Sequence, residues 1–186
     1  MAFLSEEQLI SVGFKRLGRN VKVSEKASIY NAELIEIGDF SRIDDFCVLS
    51  GKISIGRNVH IAVFCNIAGG SEGIVFEDFS GLAYGCHVMS QTDDYTGRTL
   101  TNPTVPAKFK KETKRPVHIG RHCIVGTNSI IFPGVTLHEG TSVGAMSMVT
   151  KSTEPWSVYF GAPAKRLKSR KQDLLELERQ YLDESS

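Results

Sequence analysis

The chain has 186 residues, 41% of them apolar, enough for one domain with a real core and too few for two ordinary ones. Its 22 Lys and Arg against 21 Asp and Glu leave no overall field to draw nucleic acid, a membrane surface or a polyanion, so any charged ligand must be held locally. The start has no basic stretch followed by an apolar run, and no apolar run elsewhere approaches bilayer length, which excludes membrane insertion from the expectation. We therefore expect one cytoplasmic domain over 1–186. The four cysteines (Cys47, Cys65, Cys86, Cys123) contain no CxxC pair and are expected as free thiols, with no metal ion bound.

In chain order, the first signal is a short helix. Ser5-Glu6-Glu7-Gln8 has capping-box spacing ahead of Leu9 and Ile10, and Gly13 supplies the stop, which predicts a helix over 5–13. From Leu17 an aliphatic residue then returns every six positions. The series runs Leu17, Val23, Ile29, slips by two, and continues Ile37, Ile43, Leu49, Ile55, Ile61, Ile67. After a three-residue insertion come Phe76, Leu82 and Val88, and beyond a long interruption Ile119, Val125, Ile131, Leu137, Val143 and Val149.

Four positions after each aliphatic residue the side chain is nearly always small: Val21, Ala27, Ser41, Cys47, Val59, Cys65, Ser80, Cys86, Cys123, Ser129, Val135, Thr141, Ser147. A helix repeats its apolar face every 3.6 residues and a strand every two, so a strict six means a short strand followed by a tight turn. Three such units close a triangular coil of eighteen residues, the aliphatic residue inward and the small one near the turn, and stacked coils bury a continuous core. The expected fold is all-β, a parallel β-helix of hexapeptide repeats over 17–165. All four cysteines fall in the small column. Cys47, Cys65 and Cys86 lie three repeats apart and should stack on one edge as small buried hydrophobes.

A regular prism has no pocket of its own, so its interruptions are where chemistry is expected. The largest is the loop over 89–116, which contains Ser90-Gln91-Thr92-Asp93-Asp94-Tyr95, Asn102, three prolines and the basic Lys108, Lys110, Lys111, Lys114 and Arg115. So long a loop in a compact domain is functional or disordered, and its polar and aromatic content argues for function. His87 precedes the inward Val88 and lies three repeats from Asn66, so these two should be neighbours on one face beside the loop. His60, His118, His122 and His138 fall at turn positions and are read as structural. Tyr95, Phe109 and Trp156 could stack on a sugar ring or base, or pack against a neighbouring coil. Past the repeats, Leu174, Leu175, Leu177, Tyr181 and Leu182 form an apolar stripe that predicts a helix over 169–182, a lid on the open prism or a clasp on a neighbouring subunit.

Five motifs carry a resemblance: Gly85-Cys86-His87-Val88-Met89-Ser90, Ile119-Gly120-Arg121-His122-Cys123-Ile124-Val125-Gly126, Phe132-Pro133-Gly134-Val135, Val143-Gly144-Ala145-Met146-Ser147 and Gly161-Ala162-Pro163-Ala164-Lys165. With them the chain resembles the hexapeptide-repeat acyltransferases, and within these the galactoside and maltose O-acetyltransferase branch. The resemblance implies a left-handed coil, a homotrimer with active sites between subunits, and acetyl-CoA as co-substrate. By position it implies that Gly126 and Ala145 meet the pantetheine and thioester, that Ser147 and Ala162 belong to the same cofactor-binding set, and that Lys151, Lys165 and Arg166 meet the nucleotide phosphates. The basic run Lys165, Arg166, Lys168, Arg170, Lys171 is explained equally by a solvated helix start.

Aligned on Gly85-Cys86-His87-Val88, the histidine that serves that branch as general base falls on Asp93, and the asparagine and aspartate of the galactoside pocket fall near Cys65 and Gly70. The catalytic candidates are therefore Asp93, His87 and Asp94, with Asn66, Ser90, Tyr95 and Asn102 as acceptor-binding candidates. An alcohol attacking a thioester needs a base tuned near neutral pH, which an aspartate of pKa about 3.9 is not; a neutral amine attacks first and loses its proton afterwards. Burial that raised Asp93 or Asp94, or an aspartate orienting His87, would restore the alcohol. The first expectation is O-acetylation of a sugar or saccharide hydroxyl, and the alternative is N-acetylation of a nucleotide-linked amino sugar. Two rivals of other classes are a non-catalytic assembly module and a zinc hydratase built on His87, His118 and His122.

Overall fold

A computed structural model describes residues 2–184. The aliphatic series points inward as its period requires: Ile37, Ile43, Leu49, Ile55, Ile61, Ile67, Val88, Ile119, Val125, Ile131 and Leu137 have no exposed surface. Around them the chain winds as a three-sided parallel β-helix. Face one carries Arg16–Leu17, Ile35–Ile37, Val117–Ile119 and Thr136–Leu137. Face two carries Lys22–Val23, Arg42–Ile43, His60–Ile61, Gly81–Leu82, Ile124–Val125, Ser142–Val143 and Ser157–Phe160, and face three Ser28–Tyr30, His87–Met89, Ile130–Ile131 and Met148–Val149. Strands Val48–Ile55 and Asn66–Phe76 run from face three round into face one, joining those two faces in one sheet. Successive coils stack in register, as in the outward row Val48, Asn66, His87, Ile130, Met148 on face three.

The corners show why the second column is small. At the first corner, between faces one and two, Phe40, Asn58, Phe79, His122 and Trp156 all have positive φ, from 50° to 60°, an uncommon state for side chains of this size. Each is pinned to the coil beneath: the amides of Phe79, His122 and Trp156 donate to Arg57 O (3.0 Å), Asp78 O (3.2 Å) and Glu139 O (2.8 Å). The side chains turn outward and stack, Phe79 on His122 at 5.5 Å and His122 on Trp156 at 6.1 Å. At the second corner, between faces two and three, the buried thiols of Cys47, Cys65 and Cys86 donate to Ala62 O (3.0 Å), Ala83 O (3.1 Å) and Gly126 O (3.2 Å) in the coil above. A small polarisable donor fits that position, and all four cysteines are free and buried. Burial pushes the Cys123 thiol up to about 12.

Every interruption of the period lies at the third corner. The two-residue slip is the 3-10 turn Ala32–Leu34, the three-residue insertion bulges strand Asn66–Phe76, and the long loop leaves after Met89. That loop is closed at its base by the antiparallel pair Gln91–Thr92 and Thr113–Lys114 and contains a 3-10 turn, Ala107–Phe109.

The ends are covered. Helix α1 (Glu6–Val12) has the expected reciprocal cap, Gln8 N donating to Ser5 Oγ at 3.2 Å and Ser5 N to Gln8 Oε1 at 2.7 Å, and buries Leu9 against the first coil. At the other end the expected helix start is corrected. Lys165–Ser169 is an exposed edge strand, antiparallel to Ser157–Phe160, because its residues complete the last sheet while the apolar stripe begins only at Leu174. Helix α2 (Leu174–Glu184) does not close the open end of the prism but lies along its flank. Tyr181 meets Phe79 edge-on at 6.1 Å and its hydroxyl accepts from Asn58 Nδ2 at 3.0 Å. Among the described residues no helix is long and apolar enough to cross a membrane.

Candidate active site

Of the residues expected to hold the donor, Gly126, Ala145, Ser147 and Ala162 lie at the second corner in the upper coils, whereas Lys151 follows the face-three strand Met148–Val149 and Lys165 and Arg166 stand on the edge strand of face two. A Cβ on Gly126 would sit 2.5 Å from the Ala145 amide nitrogen, so glycine there lets two coils approach and leaves backbone amides at the surface. Above them Phe160 leads into Gly161-Ala162, with a cis Ala162–Pro163 peptide. Ser147 is corrected: it is 2% exposed and its hydroxyl accepts from Gly161 N at 3.0 Å, so it holds the turn that carries Ala162 instead of facing a ligand. Lys151 and Lys165 are exposed. Arg166 is held 3.0 Å from Glu154 and donates to Ser157 and Ser169.

The acceptor candidates divide into two groups. His87 and Asn66 are register neighbours on face three, as expected, and Cys86 next to His87 donates to Gly126 O, so this pair adjoins the donor column at the second corner. The remaining candidates stand on the loop, at the opposite edge of face three. Ser90 is corrected: it has no exposed surface, and its hydroxyl donates to Gly69 O at 2.5 Å, fastening the base of the loop. Asp93 Oδ2 accepts from Asn102 N at 3.2 Å, which ties two candidates together, and Asn102 Oδ1 caps Thr104. Asp94 accepts from Thr96 N at 2.9 Å. Hydrogen bonds from Thr96 hold its carboxyl below the usual range, the direction opposite to the one a base would need. Tyr95 is 90% exposed.

The histidines read as structural sit in two settings. His60 and His118 point outward from strands rather than from turns, while His122 is buried in a corner. His118 lies 2.9 Å from Glu77 and His122 3.0 Å from Glu178. Because they take different carboxylates they do not converge with His87, and among the described residues no three His, Cys, Asp or Glu side chains are grouped to hold a metal ion.

No family model matches the chain. It is 42% identical over 181 residues to the dTDP-4-amino-4,6-dideoxy-D-glucose acyltransferase of Escherichia coli, covering 96% of this chain and 94% of that one. The chain belongs to the hexapeptide-repeat acyltransferase family. The solved structure of a mutant of AntD, an N-acyltransferase from Bacillus cereus, in complex with dTDP and coenzyme A, superposes on 99% of this chain and 100% of its own with a TM-score of 0.98 at 43% identity. A maltose O-acetyltransferase from Clostridium difficile 630 covers 89% of this chain and 75% of its own, with a TM-score of 0.57 at 22% identity, which shares the fold alone. The chain is thus an acyltransferase with the left-handed coil of its family, and its full-length similarity falls on amino-sugar enzymes.

One part of this acyltransferase was missed in the sequence. A cavity of about 680 Å³ lies between face two and α2. Its roof is fixed by Glu178, buried between His122 and Arg121, and its wall includes Arg170, which in the sequence is one member of a basic run. The available signal was a single glycine, Gly81, in the otherwise side-chain-bearing outward row of face two.

Proposed function

We propose that this acyltransferase moves a short acyl group from a coenzyme A thioester, acetyl-CoA in the simplest case, to the amine of a nucleotide-linked amino sugar. It would do so as a cytoplasmic homotrimer whose active sites lie between subunits. The observation that carries the reading is chemical: where the O-acetyltransferases place a histidine, this loop offers Asp93 beside an Asp94 kept ionised by Thr96. A carboxylate suits an amine. The neutral nitrogen attacks the thioester carbonyl, a backbone amide of the Gly126–Ala145 column stabilises the oxyanion, the carbon–sulfur bond breaks, and the ammonium proton passes by way of the carboxylate to the departing thiolate. No acyl-enzyme is formed. The relatives matching across the whole chain support the same acceptor class, being a dTDP-4-amino-4,6-dideoxyglucose acyltransferase and an N-acyltransferase solved with that nucleotide sugar.

The homotrimer is supported by geometry within one chain. The loop leaves at the third corner, while Gly126 and Ala145 stand at the second, so a second copy's loop is needed to bring its carboxylates to a donor held there. The second corner also exposes Phe46, Phe64, Tyr84 and Met146, with the two phenylalanine rings stacked at 5.1 Å, a contiguous apolar ridge that asks for cover. The cytoplasm, where thiols stay reduced, suits four free cysteines.

The test is thiol release from acetyl-CoA with dTDP-4-amino-4,6-dideoxyglucose, with dTDP-glucose, and with maltose and a galactoside. Turnover confined to the amine-bearing acceptor is expected, and turnover on hydroxyl acceptors alone overturns the reading. Sedimentation should give a trimer; an active monomer removes the intersubunit site.

A further inference from the structure

We infer that Ser90 is a positioning residue of the acyl transfer: anchored on the bulge at 69–73, it sets the direction in which the loop carries Asp93 away from the prism. The inference rests on the proposed function, in which that carboxylate takes part.

Three groups of Ser90 reach three different neighbours. Its amide donates to Ala68 O (3.0 Å) and continues the ladder between coils, while its carbonyl accepts from Arg115 N (2.9 Å) and begins the two-stranded arm of the loop. Its hydroxyl donates to Gly69 O (2.5 Å), with Ala68 O 3.2 Å away. The residue has no exposed surface. Ladder and arm therefore meet at one buried residue, and the hydroxyl fixes the angle between them.

Gly69 belongs to the three-residue insertion. In the coil beneath, Ser50 and Ile53 are joined by Gly51 and Lys52 alone; their register partners Ala68 and Ile74 are joined by the whole of 69–73. The added length serves the loop. Gly70 has a φ of 50°, and a Cβ there would sit 2.9 Å from Gln91 Oε1 and 3.1 Å from Ser90 Oγ, so its missing side chain is the space into which the outgoing arm settles. The coil above supplies the opposite jaw. A Cβ on Gly134, at a φ of 82°, would lie 2.8 Å from Arg115 Cδ, so the returning arm also rests against a glycine.

Leverage connects this clamp to the chemistry. Asp93 follows directly on Thr92, the last paired residue of the outgoing arm. Three residues at roughly 3.3 Å each make a lever of about 10 Å, so a tilt of about 6° at Ser90 moves Asp93 by about 1 Å. Misplacement of that size can cost a reaction on the order of 10²-fold.

The experiment is steady-state kinetics of the full chain with acetyl-CoA and dTDP-4-amino-4,6-dideoxyglucose, alongside amide exchange. The variants are Ser90→Ala, Ser90→Cys, Arg115→Ala, and the pair Asp93→Asn with Asp94→Asn, made with and without Ser90→Ala. Ser90→Ala should lower kcat by roughly ten- to a hundredfold, leave KM for acetyl-CoA unchanged and speed exchange at the Arg115 amide. In the background lacking both carboxylates it should change nothing further, because a residue that acts through them has nothing left to place. Ser90→Cys should recover much of the rate, since the buried thiols of Cys47, Cys65 and Cys86 already make this kind of contact to carbonyls at the second corner. Arg115 is exposed, so Arg115→Ala, which loosens the upper jaw and should also lower kcat, decides if Ser90→Ala does not fold. Unchanged kcat in the deciding variant overturns the inference, as does an equal loss from Ser90→Ala in the background without carboxylates, which would make Ser90 part of the scaffold alone. Failure of the proposed function reads differently: the variant lacking both carboxylates then turns over as fast as the wild type, a result that no change at Ser90 can produce.

Discussion

The prism and the loop at its third corner are held together by different forces. In the prism, aliphatic side chains fill the axis, backbone amides bond coil to coil, and small residues let the corners close. The loop has almost no such core: only Ser90 at its base is fully buried, and its course is set by polar caps, Asp94 on Thr96, Asn102 on Thr104, and Glu112 between Lys110 (3.1 Å) and Lys114 (3.0 Å). The prism is suited to presenting fixed amides to a long thioester ligand. The loop is suited to carrying the carboxylates of Asp93 and Asp94 on a solvated arm. Changes in the first should therefore move stability, and changes in the second should move rate.

The largest expected effect lies in the loop. Asp93→Asn should lower kcat/KM with the amine acceptor by roughly 10²- to 10⁴-fold, with the melting temperature unchanged. Intact turnover would remove Asp93 from the machinery and blur the division between the two regions. In the prism the matching change is Leu49→Ala. Leu49 has no exposed surface, and truncation should cost about 3 kcal/mol in denaturant unfolding while kcat, measured well below the transition, is retained.

Helix α2 tests whether the flank behaves as prism or as appendage. Glu178 is buried against His122 and Arg121, and Arg121 Nε is already buried without a partner among the described residues. Glu178→Ala removes charged hydrogen bonds and should cost about 2 kcal/mol, seen first as faster amide exchange and proteolysis in α2. If the coils loosen together with α2, the flank is part of the prism's cooperative unit.

How much of this could be read beforehand follows from the same division. The inward row is dictated locally, because six residues make one side of a coil, so Ile37 to Val149 announced the fold and the loop announced itself as its interruption. The pairing of His87 with Asn66 also followed from counting coils. What docks on the outside is not periodic. Glu178 finds His122 across 56 residues, and no local pattern encodes that contact, so the sequence offers for α2 a lid on the prism or a clasp on a neighbouring subunit and not the cavity beneath it. Ser90 and Ser147 read as ligand contacts because they are polar residues within motifs, and only the stacking of coils shows that both hydroxyls are turned into the scaffold. Gly81 is one of 17 glycines, and its meaning depends on which two side chains flank it in neighbouring coils.

The smallest effect separates the two regions by pH. Asp44, 3% exposed on the prism, lies 2.6 Å from Arg42 Nε and 2.8 Å from His60 Nε2. Burial alone would raise its pKa, but the hydrogen bonds from Arg42 and His60 outweigh it and hold the carboxyl below its ordinary 3.8. Asp94 on the loop is also lowered, by Thr96. In both, the folded state releases its proton more readily than the unfolded chain, so each contribution to stability is complete above about pH 3.8 and is lost as pH falls through the lower folded value. Solvent screens the exposed Asp94 more than Asp44, whose own carboxylate is buried although its partners Arg42 and His60 are about half exposed. Asp44→Asn should therefore cost about 1 kcal/mol near neutrality and flatten the decline of stability below pH 3.8. Asp94→Asn should leave that acid limb as it is in the wild type and, in folding measurements, change amide exchange at Thr96. Equal flattening by the two variants would mean that the loop carboxylates are as sheltered as those of the prism, and the contrast between a packed scaffold and a solvated arm would fail at the point where it is easiest to measure.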